Sequence, residues 1–247
     1  NGLNLTWEVL EGIIKHNGPL PEKDLSQYIR DYDEINSLDL KKYSSAESQV
    51  ASLSDDIAYT THDLEDSIGA EIISYKDLEE IEIIDKYIHS IRSEYKDIDN
   101  SRLIYEVSRK LTHHLIDSLL SQTRYNIAKH KIETESDIRN LGCQLVEFAE
   151  DTVNEVKLIK EFLFRKVYKH HRVVSVTLQC QNIVKSLFRL YDENINLLPF
   201  SWREMIKDDI NHSKMSIIAD YIAGMTDRYA IKQYQSFYNL KFANADL

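Results

Sequence analysis

The chain has 247 residues, 43% of them hydrophobic, so it is long enough to bury a sizeable core. With 30 Lys and Arg against 41 Asp and Glu its net charge is −11, which excludes coating duplex nucleic acid through overall charge. Only 6 Gly and 3 Pro occur, too few for sheets joined by tight turns, and this points to an all-α fold.

In chain order, Thr6 to about Lys15 reads as a helix with Leu5, Val9, Leu10, Ile13 and Ile14 on one face, stopped by Asn17-Gly18-Pro19. A short helix is expected from Glu22 to about Tyr32, then a polar connection from Asp33 to Tyr43. Ser44 and Glu47 have capping-box spacing and open a long helix to about Ile68, ended by Gly69. Asp77 to about Tyr95 follows, with a break expected near Glu82. Asp99 or Ser101 opens a long helix to about His130, and a short one covers Glu135 to Leu141. Val146 to about His170 and Val173 to about Tyr191 are the next two. Leu197-Leu198-Pro199 breaks the chain, Ser201 caps a short helix, and a last helix runs from about Ser213 to Tyr238, before a loose tail after Asn239. No repeat, low-complexity block or linker interrupts the pattern, so residues 1–247 are read as one domain.

Cys143 and Cys180 are too few for a disulfide framework and form no CxxC pair, so they read as core residues of a protein in a reducing, cytoplasmic setting. No apolar run has the length of a membrane span, no signal peptide is visible, and no partnership with a membrane is expected.

The segment Leu53 to Asp63 holds the most chemistry. At roughly 100° per residue, Asp55, Tyr59, His62, Asp63 and Asp66 share one stripe, opposite Val50, Leu53, Ile57, Leu64 and Ile68. Carboxylates beside a phenol suit a cation or the hydroxyls of a phosphorylated sugar. A solvated acidic face has the same pattern. Lys160, Phe164 and Tyr168 recur at four-residue spacing, which would let Lys160 reach a phosphate from the face of the Tyr168 hydroxyl. The alternative is a solvated Lys and a half-buried Tyr. Arg165, Lys166, Lys169, His170, His171 and Arg172 form the densest basic patch, either a solvated helix end or a phosphate site. His113 and His114 point about 100° apart on a helix and are poor joint ligands. Asp227 and Arg228 could make a buried ion pair or a subunit contact. No Walker loop, Rossmann glycine pattern or GxSxG elbow occurs.

Four segments carry a family resemblance: Asn4 to Pro19, Glu47 to Asp63 with its core Asp55-Asp56-Ile57-Ala58-Tyr59, Phe162 to His170, and Asp220 to Ala230. Together, and in this order, they resemble the dGTPase-type deoxynucleoside triphosphate triphosphohydrolases of the HD superfamily. The resemblance implies an HD-domain-like helical bundle and hydrolysis of dGTP or another dNTP to deoxynucleoside and tripolyphosphate. It implies a divalent metal such as Mg or Mn, with Asp55 as the last ligand of a set made by a His, a His-Asp pair and a distant Asp. The earlier ligands would precede Asn1, so this chain is expected to be the C-terminal part and inactive alone. His62-Asp63 lies after the Asp55 position and is not that His-Asp pair. By resemblance Tyr59 and Asp63 contact the sugar, and Lys160, Tyr168 and His170 contact the nucleotide. A homo-oligomer, a regulatory dNTP and single-stranded DNA are the partners the resemblance allows. The rival reading is a non-catalytic nucleotide-sensing or helical assembly module.

Overall fold

The computed structural model describes residues 3–208 and 213–238. Among them every regular element is a helix, so the fold is all-α, as the shortage of Gly and Pro implies. The chain divides into two compact units, Asn1–Tyr168 and Lys169–Leu247.

The first unit holds α1 (Trp7–Lys15), α2 (Gln27–Asn36), α3 (Ala46–Gly69), α4 (Tyr75–Leu78), α5 (Glu82–Glu94), α6 (Asn100–His130), α7 (Glu135–Asn140) and α8 (Glu150–Leu163). A π-helical turn, Phe164–Tyr168, continues α8. Short polar side chains start the helices by accepting from the orphan N–H groups of the first turn: Thr6 from Val9, Ser26 from Ile29, Asp99 from Arg102. The cap of α3 is Ser45, which accepts from Ser48, and not Ser44, whose buried hydroxyl instead donates to the Lys15 carbonyl. Asp33 to Asn36, expected in a connection, lengthen α2 by a turn, and Ser37 ends it in the left-handed region. The break near Glu82 is present between α4 and α5. Val146 to Ala149 lie outside α8, because their backbone is satisfied elsewhere: the buried Gln49 carbonyl accepts from the N–H groups of Leu145 and Val146.

One continuous core joins α3, α5, α6 and α8, with Ile57, Leu64, Ile84, Ile88, Leu111, Leu115, Ile159 and Leu163 at its centre. It leaves the acidic stripe of α3 outside. Val50 does not join it and is exposed.

On α1 the apolar expectation is met only in part, with Leu5, Leu10 and Ile14 partly buried. Val9 and Ile13 are exposed, whereas Glu11 and Lys15 are fully buried. Arg139 of α7 grips both Glu11 oxygens, Nε to Oε1 at 3.0 Å and Nη2 to Oε2 at 2.6 Å. Lys15 Nζ lies 2.6 Å from Glu11 Oε1 and donates to the Asp39 carbonyl at 3.1 Å. The Arg139 guanidinium also covers the Trp7 ring at 4.9 Å. Buried charges persist only when paired in this way.

The second unit holds α9 (His171–Glu193), α10 (Phe200–Asp208), α11 (Lys214–Ala223) and α12 (Asp227–Tyr238), around a small core of Leu187, Tyr191, Leu198, Ile218 and Tyr221. The single last helix expected from Ser213 to Tyr238 is two, parted at Gly224-Met225-Thr226. Asp227 and Arg228 are exposed, which removes the buried pair. The two cysteines are exposed as well and are not core residues. The tail after Asn239 lies outside the described residues.

Candidate functional site

Burial of Ile57, Thr61, Leu64 and Ile68 fixes the rotation of α3 and turns Asp55, Asp56, Tyr59 and Asp63 away from the core. Thr60 and Thr61 are buried without loss, because their hydroxyls donate back to the Asp56 and Ile57 carbonyls at 2.7 and 2.9 Å. The helix therefore presents carboxylates and a phenol along one side while its other side is sealed.

Asp55 is exposed in a cleft of about 950 Å³ whose other wall is α1, through Glu8, Val9, Gly12 and Ile13. The two helices approach closely at Gly12, where an added Cβ would lie 3.3 Å from Ser48 Cβ. Ser48 Oγ donates to the Gly12 carbonyl there.

Two residues of α8 and its extension meet the next turns of α3. Lys160 Nζ lies 3.0 Å from Asp56 Oδ1, with both side chains about half exposed. Tyr168 donates its phenol proton to Asp63 Oδ2, and its ring lies 6.2 Å from that of Tyr59 at 43°. Burial, first, and then the Asp63 carboxylate push the Tyr168 phenol far above its ordinary value, so it stays a donor. Asp63 Oδ1 remains as an acceptor.

Asp56 and Asp63 are seven residues apart, about two turns of an α-helix, whereas Lys160 and Tyr168 are eight apart. In an unbroken α-helix the eighth residue would overshoot by about 80°. The π turn, closing i to i+5 instead of i to i+4, absorbs the additional residue and brings Tyr168 round to face Asp63. Simple four-residue spacing is therefore not what unites Lys160 and Tyr168, and Phe164 between them is exposed.

The structure thus brings Tyr59, Asp63 and Tyr168 together and sets Lys160 on Asp56, a partner the spacing did not single out as such, while Asp55 lies apart from them in the cleft against α1. His170 belongs to the second unit, where its ring accepts from the Arg172 N–H at the start of α9 and lies 4.4 Å from that of His171, tilted by 39°. His62 is exposed. His114 pairs with Glu155 at 2.7 Å, while His113 faces away and is exposed. Of the basic patch, Arg165 and Lys166 are bound to Glu80 and Asp77. Among the described residues no three His, Cys, Asp or Glu side chains gather into a metal site, and no helix is long and apolar enough to cross a membrane.

Residues 146–236 match the family described as a phosphohydrolase-associated domain. The chain is 51% identical over 243 residues to a deoxyguanosinetriphosphate triphosphohydrolase-like protein of Rickettsia bellii (strain RML369-C), covering 98% of this chain and 63% of that one. Similar proteins of the same name occur in Rickettsia felis (strain ATCC VR-1525 / URRWXCal2), at 50% over 99% of this chain, and in Rickettsia prowazekii (strain Madrid E), at 49% over 99%; the chain spans 63% of each. It belongs to the same family as these deoxyguanosinetriphosphate triphosphohydrolase-like proteins, and spans about 63% of their length.

Proposed function

We propose that this chain forms one wall of the substrate pocket of a metal-dependent deoxynucleoside triphosphate triphosphohydrolase, acting in the cytoplasm as an oligomer. The observation that carries the reading is the meeting of Tyr168 with Asp63 and Tyr59, and of Lys160 with Asp56, on the helix that also presents Asp55 to a cleft, in a chain similar to deoxyguanosinetriphosphate triphosphohydrolase-like proteins.

Each residue has a role its geometry permits. Asp63 offers Oδ1 to a sugar hydroxyl while Tyr168 holds Oδ2, and the Tyr59 ring flanks the deoxyribose. Lys160 is held by Asp56 only through a half-exposed pair. Such pairs are weak, so Lys160 exchanges readily onto a phosphate oxygen. His170 is the remaining proposed nucleotide contact. A regulatory dNTP is a further partner of this reading.

The metal requires ligands beyond the described residues. Asp55 is a single hard oxygen donor, and the described residues do not complete a coordination set around it. A divalent cation held by Asp55 and by residues other than those described would polarise phosphate oxygens. In the proposed reaction the oxygen of water bonds to the α-phosphorus and the bond from that phosphorus to O5′ breaks. The 5′ oxygen takes a proton, and deoxynucleoside and tripolyphosphate leave.

The test is Asp55→Ala in the complete gene product, assayed for tripolyphosphate with Mg or Mn. Turnover should fall at least about a hundredfold, as expected for loss of a group that stabilises charge in the transition state. Undiminished turnover would remove Asp55 from the metal site.

A further inference from the structure

We propose that Lys166 and Arg165, clamped by Asp77 and Glu80, are positioning residues that set the Tyr168 phenol against Asp63 and so tune the sugar side of the pocket. The inference rests on the nucleotide reading above.

A π turn is a local departure from the favoured helix and persists only where its surroundings hold it. Here the turn is held on three sides. Val167 is buried in the core. Tyr168 binds Asp63 on α3. On the remaining side Lys166 Nζ lies 3.1 Å from Asp77 Oδ1 and 2.7 Å from Glu80 Oε1, and Arg165 Nη2 lies 2.7 Å from Glu80 Oε2.

Asp77 is a fixed anchor. Its carboxylate also accepts from the Ser74 N–H at 2.9 Å and the Ser74 hydroxyl at 2.6 Å, closing the capping box of α4. The Ser74 hydrogen bonds, with Lys166 after them, bring its pKa down to about 2. Lys166 is therefore tied to a group that neither swings nor neutralises near pH 7. If the clamp opened and the turn relaxed to an α-helix, Tyr168 would rotate off Asp63 by about 80°. Exposed ion pairs add little to stability, so the consequence is in the position of Tyr168 and not in the unfolding midpoint.

The experiment uses the complete gene product with Lys166→Met, which keeps the aliphatic stem, and Lys166→Arg. Each is made in the native and the Tyr168→Phe background. Lys166→Met should raise KM for the preferred dNTP about tenfold with a smaller change in kcat, equivalent to roughly 1.4 kcal/mol. Lys166→Arg should retain most of the native value. In the Tyr168→Phe background Lys166→Met should add nothing, because the two changes act through one group. An equal cost in both backgrounds overturns the proposal. A second readout does not depend on catalysis: the Cζ resonance of labelled tyrosine, which reports the Tyr168 hydrogen bond. It should move toward that of a water-exposed tyrosine in Lys166→Met, and an unmoved resonance also overturns the proposal. Absence of dNTP turnover by the native protein would instead remove the nucleotide reading, and the resonance alone would then judge the clamp.

Discussion

Glu11 shows what a single residue contributes. Its carboxylate is fully buried beneath α1, and burial alone would raise its pKa. The hydrogen bonds from Arg139 and Lys15 outweigh that and hold it below its ordinary value of 4.5. A depressed folded-state pKa means that the stabilisation is fully present above pH 4.5 and is lost as pH falls through the folded value. Arg139→Met should destabilise the protein by about 3 kcal/mol, since it leaves a buried charge short of a partner. Glu11→Gln should flatten the acid limb of the stability curve. Urea unfolding from pH 7 down to pH 3 checks both, and an unchanged acid limb in Glu11→Gln would assign the slope to other groups. None of this was legible in the sequence. Periodicity marked Leu5, Val9, Leu10, Ile13 and Ile14 as one face of α1, of which Val9 and Ile13 are exposed, but the partner that draws Glu11 inward lies 128 residues away. The stripe on α3 was legible, because Ile57, Leu64 and Ile68 repeat locally and fix its rotation.

Among elements, the pairing of α3 with its neighbours shapes the candidate site. Gly12 lets α1 lie against Ser48, and Gly12→Val should cost about 2 kcal/mol by overpacking that contact. It should also widen the cleft at Asp55. Thermal unfolding measures the cost, and a variant as stable as the native protein would show that α1 shifts without loss. Helix existence followed from apolar spacing for α1 and α3. Ends were less legible where a tertiary group competes with the helix. Gln49 captures the backbone at Leu145 and Val146, so α8 begins at Glu150 and not near Val146. The π turn carries no spacing signal at all. An interval of eight residues between Lys160 and Tyr168 reads as two four-residue steps until α3 shows that the facing pair is only seven apart.

For the whole molecule, the proposed activity concerns more than this chain, which spans about 63% of its relatives. In the function proposed above, Tyr59, Asp63, Lys160 and Tyr168 would contact sugar and phosphate, and Asp55 would need metal ligands from elsewhere, since the described residues gather no such set. Of the residues that resemblance singled out, Tyr59, Asp63 and Tyr168 meet, Lys160 pairs with Asp56, Asp55 lines a separate cleft, and His170 falls in the second unit. The most direct measurement is the products of the complete gene product incubated with each of the four dNTPs and Mg or Mn, with the other dNTPs added as activators. The account predicts deoxynucleoside and tripolyphosphate in equal amounts. Release of pyrophosphate or orthophosphate as the primary product, or no turnover under any of these conditions, would contradict it.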